Sequence, residues 1–419
     1  MIFKDIINSL VKIFNEGAYL NLTINSVLKQ REQSYSDHDK KLYVRVTSGV
    51  VENKILLDYI LKNLISGQRV KPFIKNALRV GAYMISFMNT PNHYVVNELV
   101  KVIKKEDYRA STFVNAILRK YIDLDIYNKT LNDINNLKDD ERLSILYSID
   151  ISLVKLLKSQ YSDVENILKP NNIHLNSYRI NTLKVSVDEV KDILNKEEIT
   201  YSLEGVTLLS KESLINHSLF IEGKIVAQDA SSISVAEVAN PKENMKVLDV
   251  CSAPGSKSMH MAAIMNNTGL IISCDVHEHK LKLIEENAQK LGVTNITVKL
   301  SDGTTSKYEE EFDVVLADVP CSGLGVINHK SDLKYNMTID KIKEINKLQK
   351  EIINNVCKYV KVGGTLVYST CTINKEENEY LINDFLKKHS EFKKLEEHII
   401  VQNKDVYQDG FYICKLERI

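Results

Sequence analysis

Two cysteines are the residues of this chain best suited to covalent chemistry. Cys321 lies within residues 318–323 (DVPCSG) and Cys371 within residues 368–372 (YSTCT), and each directly follows a strand-like apolar run. Both lie downstream of a glycine-bearing turn, at residues 249–257, of the kind that holds a nucleotide-like ligand. Thiols at strand ends near such a turn are typical of reagents rather than of core filling, so we predict covalent catalysis.

The other four cysteines favour a structural interpretation. We interpret Cys274, Cys357 and Cys414 as buried core residues and Cys251 as a small turn residue. The six cysteines form no C-x-x-C pair and show no zinc spacing with the histidines. The pattern therefore predicts neither a metal site nor a disulfide framework, and it is typical of a reducing cytosol.

A parallel sheet must position the two thiols. After Asn244, near-continuous apolar runs alternate with helical patterns, which indicates a doubly wound sheet with both faces covered. The carboxyl ends of parallel strands meet at one edge, so we expect Cys321 and Cys371 to face the same crevice as the turn. The predicted strands are residues 246–250, 270–274, 296–298, 312–317 and 364–368, and the clearest helices are residues 280–291 and 339–360.

The turn after the first strand is the predicted cofactor cradle. Small residues there let a ligand approach the backbone, and the following helix offers unpaired amide hydrogens. Gly255 is its one glycine, so the turn is neither a G-x-G-x-x-G motif nor a P-loop, and a tight turn without a ligand is the alternative. The candidate cofactor residues are Cys251, Ser252, Ala253, Pro254, Gly255, Ser256 and Lys257.

Two acidic residues at strand ends extend this cradle. Asp275 closes the second strand, where a carboxylate can accept hydrogen bonds from ribose hydroxyls. Asp302 follows the third strand, where it can accept a hydrogen bond from the exocyclic amine of adenine. Each could instead be a helix cap. Together they favour a nucleoside cofactor.

The first 121 residues predict an all-α domain, and a small α+β module is expected around residues 178–227. The 419-residue chain has no net charge, but residues 62–120 carry eleven basic and three acidic side chains, a local net charge of +8. Such a segment can bind phosphate, and solvated helix faces are the alternative. No segment is apolar enough to span a membrane or resembles a signal peptide, so we expect a cytoplasmic protein.

Taken together, the motifs resemble a known family. Residues 249–257, 318–323 and 369–372 are similar to the RNA cytosine-5 methyltransferases, which use S-adenosylmethionine. Residues 76–83 and 113–119 resemble the NusB-like helical domain of the Sun/RsmB branch, whose members methylate cytosine in small-subunit ribosomal RNA. Ser256 stands where this family usually has a second glycine, and residues 328–332 replace a segment that is usually richer in arginine.

The resemblance implies an α/β fold: a class I methyltransferase Rossmann-like sheet at the C-terminus, preceded by an all-α NusB-like domain and a small α+β module. The implied domains are a NusB-like RNA-binding domain at residues 1–128, connecting helices and the small module at residues 129–235, and the methyltransferase domain at residues 236–419.

The resemblance also assigns roles to the site residues. Cys371 would attack carbon 6 of the cytosine, Cys321 would assist release of the product, and Asp318 would hydrogen-bond the base near N3 and also contact the cofactor. Lys257 would tune this group electrostatically or be a solvated lysine.

The expected function is methylation of 16S ribosomal RNA by a monomer with no membrane partner. The alternatives are a non-enzymatic RNA-binding assembly factor and a cytosine-5 methyltransferase of transfer RNA or large-subunit RNA. A DNA cytosine methyltransferase is disfavoured, because that class takes its nucleophile from the Pro-Cys motif.

Overall fold

The computed structural model describes residues 1–67, 69–170, 175–308, 312–403 and 407–419. The chain divides into two compact units. The helical unit comprises Met1–Glu165 together with His329–Thr338, and the sheet unit comprises Asn166–Asn328 together with Ile339–Ile419. Elements are numbered in chain order.

Apolar spacing builds the helical unit. In the first helix Phe3, Ile6, Ile7 and Leu10 recur at three- and four-residue intervals and are all buried, as one face of an amphipathic helix requires. Pro72 begins the fifth helix, where its missing amide hydrogen costs nothing. The helices are α1 (Ile2–Asn15), α2 (Leu20–Gln30), α3 (Asp37–Glu52), α4 (Lys54–Lys62), α5 (Pro72–Phe87), α6 (Asn92–Glu106), α7 (Tyr108–Asp123), α8 (Ile126–Ile134), α9 (Asp139–Leu146) and α10 (Ile151–Gln160).

One residue of the basic segment is part of this unit's interior. Arg79 is buried, and its guanidinium donates to both carboxylate oxygens of Asp58, at 2.9 and 2.7 Å. It therefore does not contribute to a phosphate-binding surface. Most of the other basic residues of the segment are exposed, namely Lys62, Arg69, Lys71, Lys101, Lys104, Lys105, Arg109, Arg119 and Lys120.

The segment His329–Thr338 packs within the helical unit although it follows the Cys321 motif in sequence. It contains the short helix α17 (Leu333–Asn336). The backbone amide of Asp150 donates to the carbonyl of Lys334 at 2.8 Å, and the Tyr335 ring lies 5.8 Å from the Phe14 ring. The segment that departs from the family's arginine-rich pattern is thus anchored in this unit.

The sheet unit begins with a small α+β module. Helix α11 (Val164–Leu168) precedes a four-stranded antiparallel sheet in the order β2-β3-β1-β4. Tyr178, Ile180 and Leu208 on one face of the sheet pack against Val190 and Leu194. The elements are β1 (Asn176–Ile180), α12 (Val187–Lys196), β2 (Tyr201–Glu204), β3 (Thr207–Ser210), α13 (Ser218–Ile221) and β4 (Ile225–Ala227).

The larger sheet has seven strands in the order β10-β11-β9-β8-β5-β6-β7. Strands β5 to β9 are parallel, which confirms the prediction of a Rossmann-like sheet, and the antiparallel hairpin β10–β11 extends it beyond the five predicted strands. The elements are α14 (Ala230–Ala239), β5 (Lys246–Asp249), α15 (Ser256–Ile264), β6 (Leu270–Asp275), α16 (Glu278–Leu291), β7 (Ile296–Leu300), β8 (Phe312–Asp318), α18 (Ile339–Val356), a 3-10 helix (Cys357–Tyr359), β9 (Val360–Thr370), α19 (Glu379–Lys388), β10 (Phe392–Ile400) and β11 (Phe411–Arg418).

The module docks on the larger sheet through α16. The Asn181 side chain donates to the carbonyl of Leu291 at 2.9 Å, and Lys184 Nζ donates to that of Lys290 at 2.6 Å. Both carbonyls lie in the last turn of α16, where intrahelical partners are missing. Within the described residues, no helix is long and apolar enough to cross a bilayer.

Candidate active site

The turn between β5 and α15 has a backbone that only glycine adopts easily. Gly255 has a φ of +100°, and a Cβ at this position would lie 3.0 Å from the Cε atom of Met259. Ser256, in contrast, is the first residue of α15 and has no positive φ. The serine at the family's second glycine position therefore does not strain the turn.

Hydrogen bonds fix this turn against its neighbours. The amide and the hydroxyl of Ser252 both donate to the carbonyl of Cys274, at 2.7 and 2.9 Å. On the other side, the Asn287 side chain donates to the carbonyl of Pro254 at 2.9 Å. The turn is thus held between β6 and α16, with the N-terminus of α15 directly behind it.

The strand-end acids lie where the sequence places them, and each also caps a local turn. Asp275 is 7% exposed, and its Oδ1 accepts from the His277 amide at 2.9 Å. Asp302 is exposed, and its Oδ1 accepts from the amide and hydroxyl of Thr304 at 2.8 and 2.7 Å. Both acids therefore cap a local turn, as the alternative interpretation predicted. These capping hydrogen bonds involve only the Oδ1 atom of each carboxylate.

Asp318, at the end of β8, is the junction between the turn and the thiols. Its Oδ2 is 2.7 Å from Lys257 Nζ, and its Oδ1 accepts from the hydroxyl of Ser369 at 2.7 Å. Burial lowers the pKa of Lys257, but attraction to Asp318 outweighs it and the pKa is raised. Lys257, with a side chain 15% exposed, is therefore an ion-paired residue of the crevice and not a solvated lysine.

The two thiols meet. Cys321 Sγ and Cys371 Sγ are 3.1 Å apart, and both residues are partly exposed. The hydrogen bond with Cys371, followed by burial, raises the pKa of Cys321 well above that of an ordinary thiol. By comparison, Cys274, Cys357 and Cys414 are buried. The structure thus brings together the pair that the sequence singled out.

Comparison with known proteins agrees with this geometry. Residues 236–417 match the family described as 16S rRNA methyltransferase RsmB/F, and residues 4–123 match the NusB family. The chain is 34% identical over 443 residues to the "Probable ribosomal RNA small subunit methyltransferase B" of Bacillus subtilis (strain 168), covering 98% of this chain and 97% of that protein. The chain belongs to the ribosomal RNA small subunit methyltransferase B family.

Solved structures support the same fold over the full length. The crystal structure of PH0851 superposes with a TM-score of 0.80 at 25% identity, covering 100% of this chain and 97% of that one. A methyltransferase homolog protein from Pyrococcus horikoshii gives a TM-score of 0.58 at 25% identity, covering 68% of this chain and 100% of that one. The methyltransferase fold and the NusB-like region predicted from sequence are confirmed, and the chain is an S-adenosylmethionine-dependent RNA methyltransferase.

For a methyltransferase of this family, the residues at the crevice suit a cationic nucleoside. Asp249 is fully buried at the end of β5, and its Oδ1 has no hydrogen-bond partner among the described residues. Burial raises the pKa of Asp249 to about 7, although the hydrogen bond from Ser258 lowers it. Val276 and Leu300, next to Asp275 and in the strand before Asp302, are large apolar residues left exposed. A buried carboxylate oxygen without a hydrogen-bond partner among the described residues and exposed apolar side chains fit a positively charged ligand with a flat base.

Sequence reasoning assigned no role to several residues of this region. Asp249 could have been found as a strand-end acid like Asp275. Gly325 could not, because its importance lies in a close approach: its amide donates to the carbonyl of Cys371 at 3.2 Å, and its carbonyl accepts from the Gly410 amide at 2.9 Å. A side chain at Gly325 would collide with the backbone of Gly410. Glu377, fully buried beside the thiol loops, was also missed.

Proposed function

We propose that this methyltransferase transfers a methyl group to carbon 5 of a cytosine in small-subunit (16S) ribosomal RNA through a transient bond between Cys371 and carbon 6. The observation that carries the proposal is the 3.1 Å separation of Cys321 Sγ and Cys371 Sγ at the carboxyl edge of the sheet. Two thiols at one point suit a reaction in which a carbon–sulfur bond is made and then broken.

S-adenosylmethionine supplies a methyl group on a positively charged sulfur. Around it, the amides at the start of α15 and the turn at Gly255 would face the amino-acid part of the cofactor. The carboxylate of Asp275 would accept hydrogen bonds from the ribose, and that of Asp302 from the adenine amine. The exposed side chains of Val276 and Leu300 would cover the adenine faces.

Cys371 acts first on the base. Carbon 5 of cytosine is a weak nucleophile, so the Cys371 thiolate adds to carbon 6 and the electron pair of the C5–C6 double bond moves to carbon 5, which then accepts the methyl group. Transfer of the carbon 5 proton to a water molecule re-forms the C5–C6 double bond and expels Cys371 as a thiolate. Cys321, held as a thiol by its raised pKa, can donate a hydrogen bond to the departing sulfur.

Asp318 and Lys257 support the addition step. Asp318 would hydrogen-bond the base near N3, and the 2.7 Å ion pair with Lys257 holds its carboxylate in a fixed orientation. The Ser369 hydroxyl, at 2.7 Å from the other carboxylate oxygen, fixes the same orientation. The site therefore stabilises charge that develops on the ring during attack.

The target base must leave its stack to reach the thiols, which favours a loop or an incompletely assembled RNA. The exposed basic residues of the helical unit, among them Lys104, Lys105 and Arg109, would bind the phosphate backbone. Such contacts position the RNA without reading its sequence.

Two substitutions test the roles of the thiols. Cys371→Ala should lower methyl transfer to ribosomal RNA by at least ~10³-fold, because the addition to carbon 6 that activates carbon 5 is lost. Transfer at the wild-type rate would remove Cys371 as the nucleophile. Transfer is measured as radiolabel from the methyl donor incorporated into RNA.

Cys321→Ala should instead retain the covalent RNA adduct, visible as a slowly migrating protein band in a denaturing gel. The Cys321→Ala/Cys371→Ala double variant is the matched control and should give no such band. Absence of the band from the single variant would contradict the release role.

Bisulfite sequencing of RNA from a strain lacking the protein separates the RNA substrates. Loss of a 5-methylcytosine from 16S RNA is the expected result, and loss from transfer RNA or large-subunit RNA would replace the proposed substrate. The non-enzymatic alternative rested on the basic segment and on the serine at 256, and the unstrained start of α15 weakens the second of these supports.

A further inference from the structure

Glu377 is a fully buried carboxylate that is bonded to the two loops that carry Cys321 and Cys371. It lies six residues after Cys371 and is 0% exposed. Glutamate is rarely buried to this extent unless it is paired. No ion pair to Glu377 occurs among the described residues, so its charge is stabilised by other means.

Four hydrogen bonds supply that stabilisation. Glu377 Oε2 accepts from the backbone amide of Ser322 at 2.8 Å and from the Gln349 side chain at 3.0 Å. Its Oε1 accepts from the hydroxyl of Ser322 at 2.5 Å and from the Asn374 side chain at 2.9 Å. Four donors thus converge on this one buried carboxylate, as the burial of a polar group requires.

This hydrogen-bond network reaches residues directly next to both cysteines. Ser322 directly follows Cys321, and Gln349 also donates to the carbonyl of Pro320, directly before Cys321, at 2.8 Å. The Ser322 hydroxyl lies 2.7 Å from that of Thr372, directly after Cys371. The residues flanking the two cysteines are thus joined through one buried network with Glu377 at its centre.

The charge of Glu377 also acts on one thiol. After the hydrogen bond with Cys371, burial and the charge of Cys371, the negative charge of Glu377 further raises the pKa of Cys321. A higher pKa keeps Cys321 protonated, the state that the release step requires.

We propose that Glu377 is a positioning residue, whose carboxylate clamps the Cys321 and Cys371 loops at the separation needed to form and release the RNA adduct. The inference rests on the proposed function for its consequence in catalysis. The effect of Glu377 on the separation of the two thiols can be measured without RNA.

Glu377→Gln keeps the size of the side chain but turns one acceptor into a donor, which then faces the donors of Ser322 or Asn374. The matched control is Glu376→Gln, because Glu376 is the neighbouring exposed glutamate. The geometric readout is closure of a Cys321–Cys371 disulfide by diamide, in which both thiol protons and two electrons pass to the diamide nitrogen–nitrogen double bond. Sulfurs 3.1 Å apart need only a small movement to reach the disulfide bond length of about 2.05 Å.

We expect Glu377→Gln to slow both diamide closure and kcat for RNA methylation at least tenfold, with the KM for S-adenosylmethionine near wild type. Glu376→Gln should match wild type in all three. Closure and kcat within twofold of wild type, or a change in only one of them, would overturn the clamp. If Glu377→Gln does not fold, Ser322→Ala removes one donor and should slow both rates by a smaller factor.

A pH profile tests the effect of the charge. In the Cys371→Ser background, alkylation of Cys321 by iodoacetamide, followed by peptide mass spectrometry, should have its midpoint at lower pH with Glu377→Gln than with Glu377 retained. An unchanged midpoint would overturn the electrostatic part. If wild-type protein methylates no ribosomal RNA, the proposed function fails, while the diamide reaction still decides whether Glu377 clamps the thiols.

Discussion

The site has two regions that differ in burial. Next to the two thiols, Ser322, Thr372 and Glu377 are fully buried and joined by hydrogen bonds; we call this the thiol end. At the proposed cofactor end, Val276, Leu300 and Asp302 are exposed. The first region is held together by hydrogen bonds between protein groups. The second offers apolar and acidic surface that a ligand would cover.

The difference follows from what each region must do. Making and breaking a carbon–sulfur bond depends on near-attack distances, which a network of short hydrogen bonds can set in advance. A cofactor that must enter and leave in every cycle needs an open edge, and its binding energy comes from surface covered at that moment. Asp318 joins the two regions through Lys257 and Ser369.

Among substitutions that leave both thiols in place, a change at Asp318, which links the two regions, should lower the rate of methyl transfer most. We expect Asp318→Asn to lower the rate of methyl transfer at least ~100-fold, the scale of losing one charge-stabilising group, because it also leaves the buried Lys257 ammonium unpaired. The single-turnover rate at saturating S-adenosylmethionine measures this.

Asp313→Asn is the matched control for Asp318→Asn. Asp313 lies on the same strand at the opposite end, where it pairs with Lys361 and accepts from the Lys246 amide. Equal rates for the two variants would show that Asp318 has no special place in the reaction.

Substitutions at the cofactor end should weaken the binding of S-adenosylmethionine and leave the rate of methyl transfer at saturating cofactor almost unchanged. We expect Asp275→Asn to weaken S-adenosylmethionine binding by about tenfold, since hydrogen bonds to a charged group contribute about 1.5–3 kcal/mol, while the saturated rate changes little. Calorimetry gives the affinity, with Glu278→Gln, an exposed acid three residues away, as control. A large loss of rate at saturating cofactor would mean that the two ends are not separable.

How far the sequence predicted each region depends on whether its signal is local. The five parallel strands were predictable, because each is a near-continuous apolar run. The hairpin β10–β11 was not, because Phe392–Ile400 carries two adjacent lysines and two adjacent glutamates in place of an apolar run, as is typical of an exposed edge strand. The meeting of Cys321 and Cys371 followed from topology alone, since strand ends of one parallel sheet share an edge.

Burial of charged residues was not readable from local sequence. Arg79 belongs by sequence to the basic segment, but in the fold it is buried against Asp58. Glu377 lies in the charged run 375–379 and resembles a solvated helix start, yet it is fully buried. In each case one partner lies three residues earlier, but the others, Asp58 for Arg79 and Ser322 and Gln349 for Glu377, come from distant segments that spacing along the chain does not indicate.

Asp249, the fully buried acid at the end of β5, makes the stability of the protein depend on pH. Its folded pKa, about 7, is raised above the unfolded value, so between about pH 4 and 7 the folded protein binds the proton more tightly than the unfolded chain. The stability that protonated Asp249 provides is therefore present at low pH and is lost as pH rises through 7. Asp249→Asn resembles the protonated form at every pH.

The difference in unfolding free energy between Asp249→Asn and wild type should thus shift in favour of the variant by about 2 kcal/mol from about pH 5 to about pH 7, somewhat below the limiting slope of about 1.4 kcal/mol per pH unit. Urea unfolding of both proteins without cofactor measures it, and other buried acids such as Asp229 cancel in the comparison. A difference independent of pH would mean that Asp249 is ionised throughout. The protein itself would then hold Asp249 as a carboxylate. Its charge would not depend on the positive charge of the bound cofactor.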